Sequence, residues 1–218
     1  MSERNRAASL PPGGERADLI RRAFRLEHAT VLWMAIEAAV ALAAGLRAHS
    51  VTLTAFGVDS LIELASAGVL LWRLTVELRR GQAMAEDAER AASRIGGALL
   101  FALAAYVVAA AGWSLWTRQG AEFSWPGLAV SLAAIPAMGV LSRRKLAVAG
   151  ALGSRALRAD AVESITCGYL SVVVVAGLLV QRLTGAWWVD AATSVGIVWF
   201  VVKEGWEAWQ GEGCCDDC

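Results

Sequence analysis

The sequence predicts an all-α membrane protein of six transmembrane helices with both termini in the cytoplasm. Three observations carry that expectation: a hydrophobic content of 57% against 18% charged residues, six apolar runs near spanning length, and a one-sided distribution of Lys and Arg. A mean hydropathy of +0.50 over 218 residues does not suit a soluble globule. The formal net charge is zero, so nothing points to nucleic acid, and the partner implied is a lipid bilayer.

The apolar runs are 30–46, 51–72, 95–116, 125–141, 161–180 and 186–202. Several are near the lower limit for a span and must borrow flanking residues. Their lengths favour helices, because membrane strands are about half as long and alternate in polarity. Pro126 fits a first-turn position, and Pro136 is expected to kink the fourth helix. Trp113, Trp116, Trp125, Trp187, Trp188 and Trp199 are read as interfacial anchors near run ends.

Orientation follows from the basic residues. The N-terminal segment holds six, the 73–94 loop five and the 142–158 loop five, and Lys203 opens the C-terminal segment. The other three connections hold one each, Arg47, Arg118 and Arg182, which puts both termini on the cytoplasmic side. The expected division is 1–27 as a mobile polar cytoplasmic tail, 28–204 as the transmembrane domain and 205–218 as a short Cys-rich cytoplasmic tail. The first 27 residues contain PPGG and six arginines without an apolar core, so they do not read as a signal peptide. The 74–93 loop reads as a solvated extension of the second and third helices. Abundant Ala and Arg hint at a GC-rich bacterial genome, which places the chain as a multi-pass protein of the bacterial inner membrane.

The run 51–72 carries two carboxylates, Asp59 and Glu63. They lie about 12 and 18 Å from its N-terminal end, deep in a hydrocarbon core of roughly 30 Å. Their i, i+4 spacing stacks them on one helix face. An ionisable group at that depth costs several kcal/mol unless it meets protein, water or a counter-ion, and each of two adjacent acids opposes the other's ionisation. A bound cation, or protons in its absence, is the simplest remedy. The fifth run offers Glu163 and Cys167, again at i, i+4 and close to Glu63 in depth. Asp59 and Glu63 from one side and Glu163 and Cys167 from the other can close a four-coordinate metal site. Three oxygens and a thiolate suit zinc, cobalt or cadmium better than magnesium or calcium; the alternative for Cys167 is a small buried hydrophobe.

Other polar groups keep two readings. Asp160 is either a metal-access carboxylate or the partner of Arg155 or Arg158. Glu37 is either a proton-carrying or supporting group for the site, or a hydrogen-bonding partner of a neighbouring helix. Asp190 reads as a wet acid at the start of the sixth helix. Cys214, Cys215 and Cys218 crowd the last five residues with two acids, a composition that chelates a soft or borderline cation or else stays a solvated reduced tail. The only histidines, His28 and His49, lie at the membrane edges, and no nucleophile–base pair is apparent, so an enzyme is not expected.

SVTLTAFGVDSLIELAS in the second helix resembles the serine-led run of the cation diffusion facilitator family that ends in two acids four residues apart. SRALRADAVESITC resembles that family's fifth-helix run, with Asp160 on the preceding Asp, Glu163 on the first ligand and Cys167 on the second. IEAAVALAAGLRAHS and TGAWWVDAATSVGIVWFVVKEGWEA are similar to its first and sixth helices, and the resemblance covers 28–209. It implies a secondary transporter that exports a divalent metal cation, zinc above all, in exchange for protons, with no permanent cofactor. Cys167 stands where the family has a carboxylate and no His stands in the site. The family's usual cytoplasmic metal-binding domain, which helps many members dimerise, has no counterpart here, so a homodimer stays open. The alternative function is a membrane metal sensor or buffer that uses the Cys-rich tail and does not transport.

Overall fold

The computed structural model describes residues 13–80, 85–118 and 120–210. Among them are six helices and no strand: α1 (Gly13–Ala48), α2 (Val51–Arg80), α3 (Ala85–Thr117), α4 (Trp125–Leu152), α5 (Arg155–Thr184) and α6 (Val189–Gln210). Five segments are long and apolar enough to cross a membrane: Asp18–Ala48, Val51–Trp72, Ala98–Thr117, Trp125–Leu152 and Asp160–Thr184.

The helices outrun the apolar stretches. α1 has 36 residues, about 54 Å at 1.5 Å per residue, against a hydrocarbon core of roughly 30 Å. It therefore takes in much of the stretch expected as a mobile tail. The reason lies in periodicity: Ala23, Glu27, Thr30, Met34, Glu37, Ala41, Ala44 and Ala48 are all buried, alternately four and three residues apart. That stripe runs back past the apolar segment into the charged one. α2 and α3 likewise continue through much of the 74–93 segment, as its reading as a helical extension requires. α4 stays one helix through Pro136 and on to Leu152, carrying 143–145 inside it.

Local chemistry sets several helix ends. Ser124 caps α4, its hydroxyl accepting from Gly127 N–H at 3.2 Å, with Pro126 in the first turn where its missing N–H is harmless. Ser154 caps α5 in the same way through Leu157 N–H. Gly153 and Gly185, at φ 64° and 62°, close α4 and α5 in the left-handed conformation that glycine adopts without a Cβ clash.

The turns 49–50, 120–124 and 185–188 meet at one end of the bundle, the hairpin end. There Glu122 N–H donates to Ala48 C=O at 2.7 Å and Gln181 Nε2 to Ala121 C=O at 2.6 Å. Gly13 and Gln210 lie toward the opposite, terminal end. The closest pairings are α1 on α2, α4 on α5 and α3 on α6. A large apolar core built around Phe56, Leu53, Met34, Met138, Leu170 and Ile197 fills the bundle. A smaller cluster of Ala23, Leu70, Ala149, Leu152 and Leu157 seals the terminal end.

Trp113, Trp116, Trp125, Trp187 and Trp188 are exposed around the hairpin end. Trp199 is also exposed, three residues before the end of the apolar run 186–202, while α6 continues to Gln210.

Candidate metal centre

The candidate ligands sit where α1, α2 and α5 meet. On α2, Asp59 is 1% exposed, and neither carboxylate oxygen has a hydrogen-bond partner. Such a group has surrendered its hydration with no donor to replace it, which is expensive unless a cation or a proton neutralises it. Its electrostatic neighbours include Glu37 and Glu163. Glu63, one turn along, is half-buried and faces Cys167.

On α5, Cys167 is fully buried, its thiol 3.5 Å from Glu37 Oε1 and beside Glu63 and Asp59. Glu163 is half-buried and accepts from Ser66 Oγ of α2 at 3.2 Å. α2 and α5 thus present their acids and thiol to one another. The four groups nevertheless stop short of the closed four-ligand site that their spacing suggests. Among the described residues, no three His, Cys, Asp or Glu side chains stand close enough to hold a metal ion together. Cys167 meets Glu63 and Glu37, whereas Glu163 is drawn one turn toward the terminal end by Ser66.

Glu37 hydrogen-bonds neighbouring helices, the second of its two readings. Trp33 Nε1 donates to Oε2 at 2.6 Å, Ser60 Oγ donates to Oε1 at 2.8 Å, and the Cys167 thiol points at the same oxygen. It therefore ties α1 to α2 and α5 and supports the thiol directly.

Asp160 pairs with Lys145 of α4. Lys145 also reaches Glu27 Oε2 of α1 at 3.3 Å and Ser164 Oγ at 3.5 Å. Sequence reasoning missed both Lys145 and Glu27, the first counted only as a loop charge and the second assigned to the tail. Asp190 is another correction, since it is buried and not wet. It accepts from Ser50 Oγ at 2.5 Å and Val51 N–H at 2.8 Å, and its C=O accepts from Thr52 Oγ1 at 2.8 Å. An α6 carboxylate therefore caps the N-terminus of α2, where the helix dipole favours a negative charge.

His28 and His49 are exposed and outside the centre. Cys214, Cys215 and Cys218 lie outside the described residues.

Comparison with curated proteins gives no match. The family profile described as the cation efflux transmembrane domain matches residues 28–209, a stretch that includes every candidate ligand of the buried centre. The chain therefore belongs to the cation efflux family of metal cation transporters.

Proposed function

We propose that the chain is a six-span exporter of a divalent cation of the zinc, cobalt and cadmium class, driven by exchange for protons across the bacterial inner membrane. On this reading the terminal end is cytoplasmic, which the basic-residue bias supports even with Lys145 buried. α6 forms the sixth span. Asp59, Glu63, Glu163 and Cys167 bind the ion, with Cys167 favouring the softer members of the class. The single observation that carries the proposal is Asp59: a buried carboxylate with no donor, beside other acids and a thiol, deep in a span.

Exchange follows from charge balance. Clustered acids in a poorly solvated site need compensating positive charge, and a divalent ion or protons can supply it. The two cannot fully occupy the same carboxylates at once, so loading one releases the other. If the centre opens alternately to each face, that competition becomes antiport. Glu37 keeps the Cys167 thiol oriented toward the acids throughout.

The test is a metal panel in proteoliposomes with an imposed pH gradient. Zinc, cobalt or cadmium flux is expected from wild type and not from Glu63→Ala, and removing residues 214–218 should leave it intact. Absence of flux from wild type, or unaltered flux from Glu63→Ala, refutes the proposal. Flux that depends on 214–218 and not on Glu63 favours the sensor or buffer reading.

A further inference from the structure

The most unusual side chain in the bundle is Lys145. Its side chain is 0% exposed, as is that of Glu27, and both meet Asp160 in one buried cluster. The three residues come from α4, α1 and α5. Asp160 lies one turn before Glu163, toward the terminal end, so the cluster stands between the candidate ligands and that end. Beyond it lies the apolar seal of Ala23, Leu70, Ala149, Leu152 and Leu157, with the partly buried Leu19, Ile20 and Phe24 packed on it.

We propose that Lys145 is a gating cation: its ammonium ties α1 to α5 and shuts the terminal end over the path to the metal centre, and access from that side requires it to release Glu27 or Asp160. The inference rests on the transport reading above for its purpose, but the closure it describes is independent of which ion is carried.

Three observations favour a releasable tie over a permanent brace. Two carboxyl groups compete for one ammonium. Glu27 Oε1 is buried with no hydrogen-bond partner, so the cluster leaves an acceptor unmet. A brace has a better solution in apolar side chains, which commonly stabilise a bundle at least as well as a buried ion cluster. The chemistry of lysine also suits movement: a compact ammonium on a flexible four-carbon stem can pass between acceptors, where a guanidinium is held in a fixed fork. Ser164 Oγ, 3.5 Å from Nζ and next to Glu163 in sequence, provides a neighbouring acceptor on the side of the metal centre.

The gate is read by access to Cys167. Replacing Cys214, Cys215 and Cys218 by Ser in the full chain leaves Cys167 as the only thiol, since the sequence has 4 cysteines. Inside-out membrane vesicles are then treated with a membrane-impermeant methanethiosulfonate reagent. Labelling should be slow in the parent. Breaking a buried ion pair shifts an equilibrium by more than a decade, so Lys145→Met should raise the labelling rate by about tenfold or more. Glu27→Gln, which keeps side-chain size and the Lys145–Asp160 pair, should give a smaller rise and is read alone if Lys145→Met does not reach the membrane. Ala111→Cys, buried on α3, reports general loosening in a Cys167→Ala background. Equal acceleration there, fast labelling of the parent, or an unchanged rate in the variants overturns the gate. Metal flux with unchanged labelling removes the gate alone, whereas gated labelling without flux removes the transport reading alone.

Discussion

Replacing Asp59 by Asn separates a ligand from a structural acid, because the structure gives the two roles opposite consequences. Both Asp59 oxygens lack a donor, so the amide breaks no hydrogen bond and removes a buried charge. The metal-free protein should therefore melt within about 2 °C of wild type or above it, given roughly 2–4 °C per kcal/mol for a chain of this size. The metal-loaded protein should behave differently. Zinc at about 100 times its dissociation constant stabilises wild type by about 2.7 kcal/mol, since it binds only the folded state. On the same scale that is a rise of roughly 5–11 °C. Mutating even the outer partners of a metal ligand weakens binding by about 10–100-fold, and loss of a ligand should reach at least the upper figure. At the same zinc concentration the variant then gains about 0.4 kcal/mol, or roughly 1 °C. Thermal melts of purified protein with and without zinc measure both quantities. A metal-free melting point lowered by more than about 6 °C shows that Asp59 holds the fold. A zinc-induced rise that survives the substitution refutes its role as a ligand.

Cys167→Asp removes the sulfur from the buried candidate centre and should shift preference from cadmium toward harder ions while retaining zinc flux, as competition between cadmium and zinc in liposomes would show. If the ratio does not move, Cys167 is a packing residue. Asp190→Ala takes the cap from α2 and leaves Ser50 Oγ and Val51 N–H without their acceptor, at an expected cost of about 2–4 kcal/mol and a melting point lower by roughly 5–15 °C. Zinc affinity should be unchanged, and Asp190→Asn, which retains one acceptor oxygen, should recover part of the loss.

Helix number and the main candidate acids were legible because membrane burial writes them plainly: an apolar run must span, and a carboxylate within it stands out. The helix ends were not, because charged residues can still occupy a buried stripe. Glu27 and Lys145 show why. The apolar runs 30–46 and 125–141 leave each outside, but each falls in phase with buried neighbours, Ala23 and Thr30 for Glu27, Ser142 and Ala149 for Lys145. Following the period instead of the polarity would have found both. Asp190 was misjudged for another reason: its partners Ser50 and Val51 are about 140 positions away in the chain, and no local pattern announces such a contact. Closure of the candidate site was also beyond sequence reasoning, since spacing along a helix fixes which face a side chain occupies but not the separation of two helices.

That separation has a physical basis in how the helices are grouped. α1 and α2 are locked together by close backbone approach. A Cβ on Gly45 would stand 2.7 Å from Thr54 N, and one on Gly57 2.9 Å from Leu42 N. Contacts this tight leave little room for sliding, whereas α2 faces α5 through side chains such as Ser66 with Glu163 and Glu63 with Cys167. Asp59, Glu63 and Glu37 therefore belong to one closely packed pair, and Glu163 and Cys167 face it from α5, with the Cys167 thiol reaching Glu37 across the seam. The two ends of that seam are fastened by different chemistry. At the hairpin end Asp190 and the turn carbonyls make short directional hydrogen bonds between α6, α2 and the loops. At the terminal end a single ammonium joins α1, α4 and α5 beneath an apolar seal. Ligands split across a seam can approach or part only as the seam flexes, so incomplete coordination in one arrangement is what such a division requires. A candidate centre with all four groups on one rigid pair would have protonation alone to release an ion, whereas groups on two pairs can also part.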